Sequence, residues 1–190
     1  MMTSRSIYFF IVVAVFLVAM AAIGGYYFLR ARRAKKYPYG RWEDLLRRLA
    51  SVDSDSIATI ALDLVDESGE RKSPEDPSDL DPSDIPNLVG GLKGLEVLEQ
   101  NCAVLIDLAF YVQQWYPEAL AVAEDLRSNA REIEWHLGRL RAAEKNGTLE
   151  SAFAEYGQRA IATYYLMTRR VLALYDQCRL PQLAELQRVI

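Results

Sequence analysis

The chain has 190 residues, a formal net charge of −4, one histidine and two cysteines. The single histidine, His136, has Ile133 three residues before it, which excludes the paired Glu-x-x-His motifs of a di-iron bundle and argues against nucleophile–histidine triads. Cys102 and Cys178 lack CxxC spacing and fall on apolar stripes, so both are expected to be free thiols. Composition therefore predicts no catalytic residue, no metal and no cofactor.

An uncharged apolar run over residues 7–29 follows a short tail, residues 1–6. Its 23 residues exceed the ~20 that an α-helix needs to cross a bilayer. The run also continues past the A-x-A tripeptide at 19–21, where an export signal would be cleaved. We therefore predict an uncleaved transmembrane helix and a single-pass membrane protein.

Basic residues follow this run and set its predicted orientation. One basic residue, Arg5, precedes the run, and five follow it: Arg30, Arg32, Arg33, Lys35 and Lys36. Because Lys and Arg near a membrane helix are retained in the cytoplasm, the C-terminal domain is predicted to be cytoplasmic. The alternative is a signal-anchor that keeps its N-terminus inside and places the domain outside the cytoplasm. The five residues are predicted to lie at the membrane interface, with the lipid bilayer and its anionic headgroups as partners.

Two short helices are predicted before the main domain. In the basic juxtamembrane segment, residues 30–52, the spacing of Trp42, Leu45, Leu46 and Leu49 indicates a one-faced helix. This helix either lies in the membrane interface, with Trp42 as an interface residue, or packs on the rest of the domain. Residues 53–65 predict a second short helix that begins after an Asp N-cap.

Residues 66–86 interrupt the helical pattern. The segment contains four prolines and the repeated stretches "DPSDL" and "DPSDI". The wider region, 53–84, carries eleven acidic and two basic residues without the spacing of an EF-hand calcium loop. This composition predicts an exposed acidic linker.

Residues 87–190 carry apolar stripes at alternating three- and four-residue steps over 88–115, 118–145 and 149–178. Such stripes predict an all-α fold with an antiparallel bundle of three long helices and short accessory helices. The stripe keeps its phase across Pro117, so a hairpin or a single kinked helix fits there, and the similar segment lengths favour the hairpin. A short helix is predicted after Pro181.

Aromatic residues provide the candidate sites for a protein partner. The predicted partner-binding residues are Phe110, Tyr111, Trp115 and Trp135, because Tyr and Trp outside a core anchor protein interfaces. The alternative is that these aromatics fill the bundle ends. His136, beside Trp135, is predicted to be a surface or boundary residue. With thirteen acidic and eleven basic residues over 87–190, there is no basic face and no nucleic-acid partner is predicted.

The stretch "DIPNLVGGLKG", residues 84–94, resembles the I-P-N-L-V-x-x-x-K-G signature of LemA-like proteins, and "YPEAL" at 116–120 is loosely similar to a later piece. The match covers about a tenth of the chain, and here the acidic linker separates the motif from the apolar run. The resemblance implies an N-terminal membrane helix and a long antiparallel helical bundle. It implies no catalytic residues.

These observations predict a membrane-anchored helical bundle that acts by protein–protein interaction, as a scaffold, adaptor or assembly factor, and not as an enzyme. Its partner is an unidentified protein, with a second copy of the chain as one candidate. The alternative is a signalling or sensory protein whose bundle responds to a ligand or partner.

Overall fold

The computed structural model describes residues 13, 15–21, 23–25, 41–66, 70, 72 and 80–190. The chain divides into two compact units, Met1–Gly40 and Arg41–Ile190. In the first unit, every described residue is helical and has an exposed side chain. Across all the described residues there is no β-strand, so the all-α class is confirmed.

The predicted transmembrane helix is contradicted. Crossing a bilayer takes about 20 consecutive apolar residues in one helix. Within the described ranges, no helix is both long enough and apolar enough to do so. The predictions of a transmembrane helix over residues 7–29 and of a single-pass membrane location are therefore wrong.

In the second unit the described residues are mainly helical. The helices are α1 (Trp42–Arg48), α2 (Ser54–Leu64), α3 (Ile85–Val89), α4 (Gly91–Val112), α5 (Ala119–Lys145), α6 (Leu149–Ala152), α7 (Gln158–Gln177) and α8 (Leu183–Val189). A five-residue π-helical turn, Phe153–Gly157, joins α6 to α7 and is called the π turn below.

Three long helices, α4, α5 and α7, pack against one another and form the bundle. The chain turns back over residues 113–118, so α4 and α5 form a hairpin and not one kinked helix. Side chains from the predicted stripes meet in the core. Those with no more than 1% of their surface exposed include Leu95, Leu98, Leu105, Leu126, Ile133, Leu137, Leu140, Ala160, Tyr164, Met167 and Val171.

The short helices α1 and α2 pack on the bundle. Trp42 and Leu45 of α1 are buried, and α1 lies against α4. Of the two alternatives for this segment, the membrane interface and packing on the domain, the structure therefore shows packing on the domain. Helix α2 begins where the Asp53 side chain accepts hydrogen bonds from the backbone N–H groups of Asp55 and Ser56. Its Ala61 packs with Ala162 of α7.

Glycines shape the junction of α3 and α4. Gly90 and Gly91 have φ angles of +80° and +64°, in the left-handed region that glycine adopts without steric cost. At Gly94 an added Cβ would collide with the backbone carbonyl oxygen of Val89. The "GGLKG" stretch therefore turns the chain and lets α3 approach α4 closely. Helix α3 begins at Ile85, whose side chain is buried.

Candidate functional site

An exposed aromatic surface lies at the turn between α4 and α5. It consists of Tyr111, Trp115, Tyr116 and Leu120, and is called the aromatic turn surface. Trp115 is 54% exposed, Leu120 42% and Tyr116 37%, while Tyr111 is half-buried. Large apolar side chains grouped at one exposed site are typical of interaction surfaces.

Aromatic rings in the core contact the aromatic turn surface. The rings of Tyr111 and Trp115 meet edge to face, with centroids 5.2 Å apart. Beneath them, the Trp42 ring lies 5.8 Å from that of Tyr111 and 5.4 Å from that of Tyr175. Such pairs add ~0.5–1.5 kcal/mol each beyond the burial of area. The exposed Trp115 ring therefore rests on side chains that are held in the core.

Hydrogen bonds hold the supporting rings in place. The Trp42 indole N–H donates to Glu185 Oε2 at 2.9 Å, and the Tyr175 hydroxyl donates to the Leu108 carbonyl at 3.0 Å. Burial raises the pKa of Tyr175, so its hydroxyl keeps the proton that this bond needs. These bonds connect α1, α4, α7 and α8 beneath the surface.

The turn itself is tied to the end of α7. The backbone N–H groups of Trp115 and Tyr116 donate to the Val112 carbonyl at 3.0 and 3.1 Å. The Tyr116 hydroxyl donates to the carbonyl of Cys178 at 3.2 Å. The turn is therefore held to the end of α4 and to the end of α7.

Two carboxylates act on groups at this end of the bundle. Burial and the Glu43 carboxylate both raise the pKa of Tyr111. Burial and the Glu118 carboxylate likewise raise the pKa of the Cys178 thiol. The negative charges of both carboxylates therefore act on groups at this end of the bundle.

The four predicted partner-binding residues do not form one site. Tyr111 and Trp115 lie together in the aromatic turn surface, whereas Phe110 is buried and its ring is covered by the Arg127 guanidinium at 4.5 Å. Trp135 is 56% exposed but lies sixteen residues beyond Ala119, ~24 Å along α5. Trp42, predicted to lie at a membrane interface, is 6% exposed and supports the aromatic turn surface.

A second cluster lies on α5 and the π turn around His136. The His136 ring lies 5.0 Å from the Trp135 ring and 5.9 Å from that of Tyr156, centroid to centroid. The Arg139 guanidinium lies 5.9 Å from the centroid of Trp135 and 5.5 Å from that of Tyr156. These four residues are called the His136 cluster.

The predicted surface or boundary position of His136 is wrong. The residue is 3% exposed, and neither ring nitrogen has a hydrogen-bond partner within the described part of the chain. Its position three residues after Ile133 and four before Leu140, on the edge of the apolar stripe, is the signal that would have located it.

Charged side chains near His136 affect its pKa. Its Nε2 lies 3.7 Å from Glu132 Oε1, beyond hydrogen-bond distance but within range of electrostatic attraction. Burial lowers the pKa of His136 below its ordinary value of 6.5, and the Glu132 carboxylate opposes this shift. Glu155 opposes it as well, whereas Arg159 lowers the pKa further.

A small pocket of about 170 Å³ lies between the α1–α2 loop, α3 and α4, and its lining includes Val52, Ile57, Leu88 and Val97. In the described residues no group of three or more His, Cys, Asp and Glu side chains is arranged to hold a metal ion. The five basic residues predicted to lie at a membrane interface, Arg30, Arg32, Arg33, Lys35 and Lys36, fall outside the described residues.

Comparison with known proteins adds no relative. No protein-family model, no curated protein and no solved structure matches the chain. The similarity to LemA-like proteins therefore remains a resemblance over residues 84–94.

Proposed function

We propose that this chain acts by binding another protein, as a scaffold, adaptor or assembly factor, without catalysing a reaction. The observation that carries the proposal is the aromatic turn surface, in which Trp115 and Tyr116 are exposed on the turn and Leu120 is exposed at the start of α5. Buried aromatic anchors contribute most of the energy of protein interfaces. Leaving such side chains in water is otherwise unfavourable.

The surroundings favour a partner segment that is both apolar and basic. A Lys or Arg side chain can lie over the exposed Trp115 ring, where the electrostatic attraction to the ring amounts to ~0.5–1 kcal/mol at an exposed site. The negative charges of Glu43, which acts on Tyr111, and Glu118, which acts on Cys178, would favour a cation at this end of the bundle. We therefore expect an amphipathic helix or extended peptide with basic side chains beside its apolar ones.

Site-specific photo-crosslinking in cells tests this proposal. A photoreactive phenylalanine analogue replaces Trp115 or Leu120 in the full chain, and replaces the exposed Glu144 as the control. Glu144 lies ~36 Å along α5 from Leu120. We expect a discrete adduct with the same protein from positions 115 and 120 and none from position 144.

Two results would count against the proposal. One is the absence of any discrete adduct at positions 115 and 120, and the other is the same adduct pattern at all three positions. An adduct of twice the chain mass would identify the partner as a second copy, and sedimentation analysis would then show self-association that Trp115→Ala weakens.

The alternative is a signalling protein whose bundle responds to a ligand or partner. One observation favours it: the buried His136 ring next to the π turn has nitrogen atoms without hydrogen-bond partners in the described chain. π-helical turns are rare and occur frequently at functional sites.

A further inference from the structure

The His136 side chain is held at an energetic cost. A buried polar atom without a hydrogen bond loses the stabilisation that it would have in water. Both ring nitrogens of His136 are in this position, and the residue is 3% exposed. Unpaired buried groups are uncommon in folded proteins, and strain or function is their usual explanation.

The π turn lies beside the His136 ring. Tyr156, which contacts His136, belongs to the π turn, where the regular helical hydrogen-bond pattern is interrupted. At the end of the turn, a Cβ added to Gly157 would meet the Phe153 ring at 2.7 Å, so only glycine fits this packing. The ring therefore packs against a segment whose hydrogen-bond pattern differs from that of the long helices.

Protonation would change the forces on the ring. Neutral imidazole tolerates the apolar contact with Trp135 and Tyr156, whereas imidazolium requires water or a carboxylate. The nearest carboxylate, Glu132, is 3.7 Å away and its side chain is 55% exposed, so it draws the charged ring outward. The other charged groups acting on the ring are Glu155 in the π turn and Arg159 in α7.

We infer that the His136 cluster is a proton-operated switch, in which protonation draws the imidazole towards Glu132 and solvent and loosens the π turn beneath Tyr156. The exposed face formed by Trp135, Tyr156 and Arg139 then rearranges. Leu120 and His136 are ~24 Å apart along α5, so this inference does not depend on the proposed function of the aromatic turn surface.

The sign of the pH dependence follows from linkage. Burial lowers the pKa of His136, so the open state binds the proton more tightly than the closed state. The closed state is therefore fully favoured above the ordinary pKa of about 6.5 and loses stability as the pH falls below it. With one proton involved, the opening constant rises by at most about tenfold per pH unit.

NMR of the full chain provides the test, because His136 is the single histidine and its ring signal is identified without ambiguity. We expect a titration midpoint below 6.5. Between pH 7 and pH 5.5 we expect the opening constant of amides 153–157, corrected for intrinsic exchange, to rise by up to about tenfold. A midpoint at or above 6.5, or an opening constant that does not change, would overturn the inference.

Variants separate the switch from general acid destabilisation. Gln retains hydrogen-bonding atoms and Phe retains the ring shape, so His136→Gln and His136→Phe should each remove the rise in opening. The same rise in either folded variant would refute the role of His136. Glu132→Gln should lower the histidine midpoint, whereas Glu134→Gln, at an exposed position on the same helix, should leave it unchanged. Equal midpoints in these two variants would contradict the outward pull by Glu132.

Discussion

Asn101 is the buried amide that joins the α1–α2 loop to the bundle. Its side chain accepts a hydrogen bond from the Ala50 backbone N–H and donates one to the Ala50 carbonyl, each at 2.9 Å. It also donates to the Tyr164 hydroxyl at 3.3 Å. Burial raises the pKa of Tyr164 to about 12, so this hydroxyl stays protonated and neutral. The Asn101 side chain on α4 thus satisfies polar groups of both the α1–α2 loop and α7.

Replacing Asn101 should be costly. In Asn101→Ala the backbone groups of Ala50 and the buried Tyr164 hydroxyl lose their partner, and we expect the free energy of unfolding to fall by about 3 kcal/mol. Urea denaturation followed by circular dichroism measures this change. The matched control, Asn146→Ala, alters an exposed asparagine and should change stability by less than about 0.5 kcal/mol. Similar losses in the two variants would contradict the role assigned to Asn101.

At the scale of helices and turns, the sequence does not predict the backbone conformation of two segments, the α3–α4 junction and the π turn. At the α3–α4 junction Gly90 and Gly91 have positive φ angles, while Gly94 allows close approach of Val89. The π turn was not predicted, because the stripe over 149–178 continues through it without a change of period. Helical periodicity reports which residues face the core and not how the backbone accommodates them.

Two glycine substitutions test this reading of the junction. Gly94→Ala places a Cβ against the Val89 carbonyl and must separate α3 from α4, so we expect a loss of about 2 kcal/mol or more. Gly138→Ala, in the exposed part of α5 with open space around its Cα, should stabilise the protein by ~0.5–1 kcal/mol through helix propensity. Thermal unfolding of both variants gives the comparison. A neutral Gly94→Ala would show that the contact is not tight in solution.

At the scale of the whole molecule, regular long-range patterns were predictable and individual contacts were not. The similar segment lengths favoured the hairpin at Pro117, and the structure has it. The burial of α1 depends on Trp42 meeting Tyr111 and Tyr175, residues far apart in sequence, so its pattern alone left two alternatives open. The transmembrane helix was inferred from hydropathy, and no helix in the described chain meets the length and apolarity that a span requires.

Thiol reactivity tests the packing of the whole bundle. Cys102 is 2% exposed and burial raises the pKa of its thiol to about 12, whereas Cys178 is partly exposed at the end of α7. With a thiol reagent at pH 8 we expect one thiol per native chain to react and the second to react only after denaturation. Cys178→Ser should abolish the native reaction. Fast labelling of both thiols would mean that the core is open, and no labelling after denaturation would indicate a disulfide.

The partner identified by crosslinking allows the most direct measurement, a comparison of two tryptophans with nearly equal exposure. Trp115 is 54% exposed on the aromatic turn surface and Trp135 is 56% exposed on the His136 cluster. Isothermal titration at pH 7.5 gives the dissociation constant of the partner for each variant. If the aromatic turn surface is the binding site, Trp115→Ala weakens binding by about 30-fold, equivalent to ~2 kcal/mol, and Trp135→Ala by less than about twofold. Equal affinities for Trp115→Ala and the unaltered chain, or the larger loss in Trp135→Ala, would contradict the account.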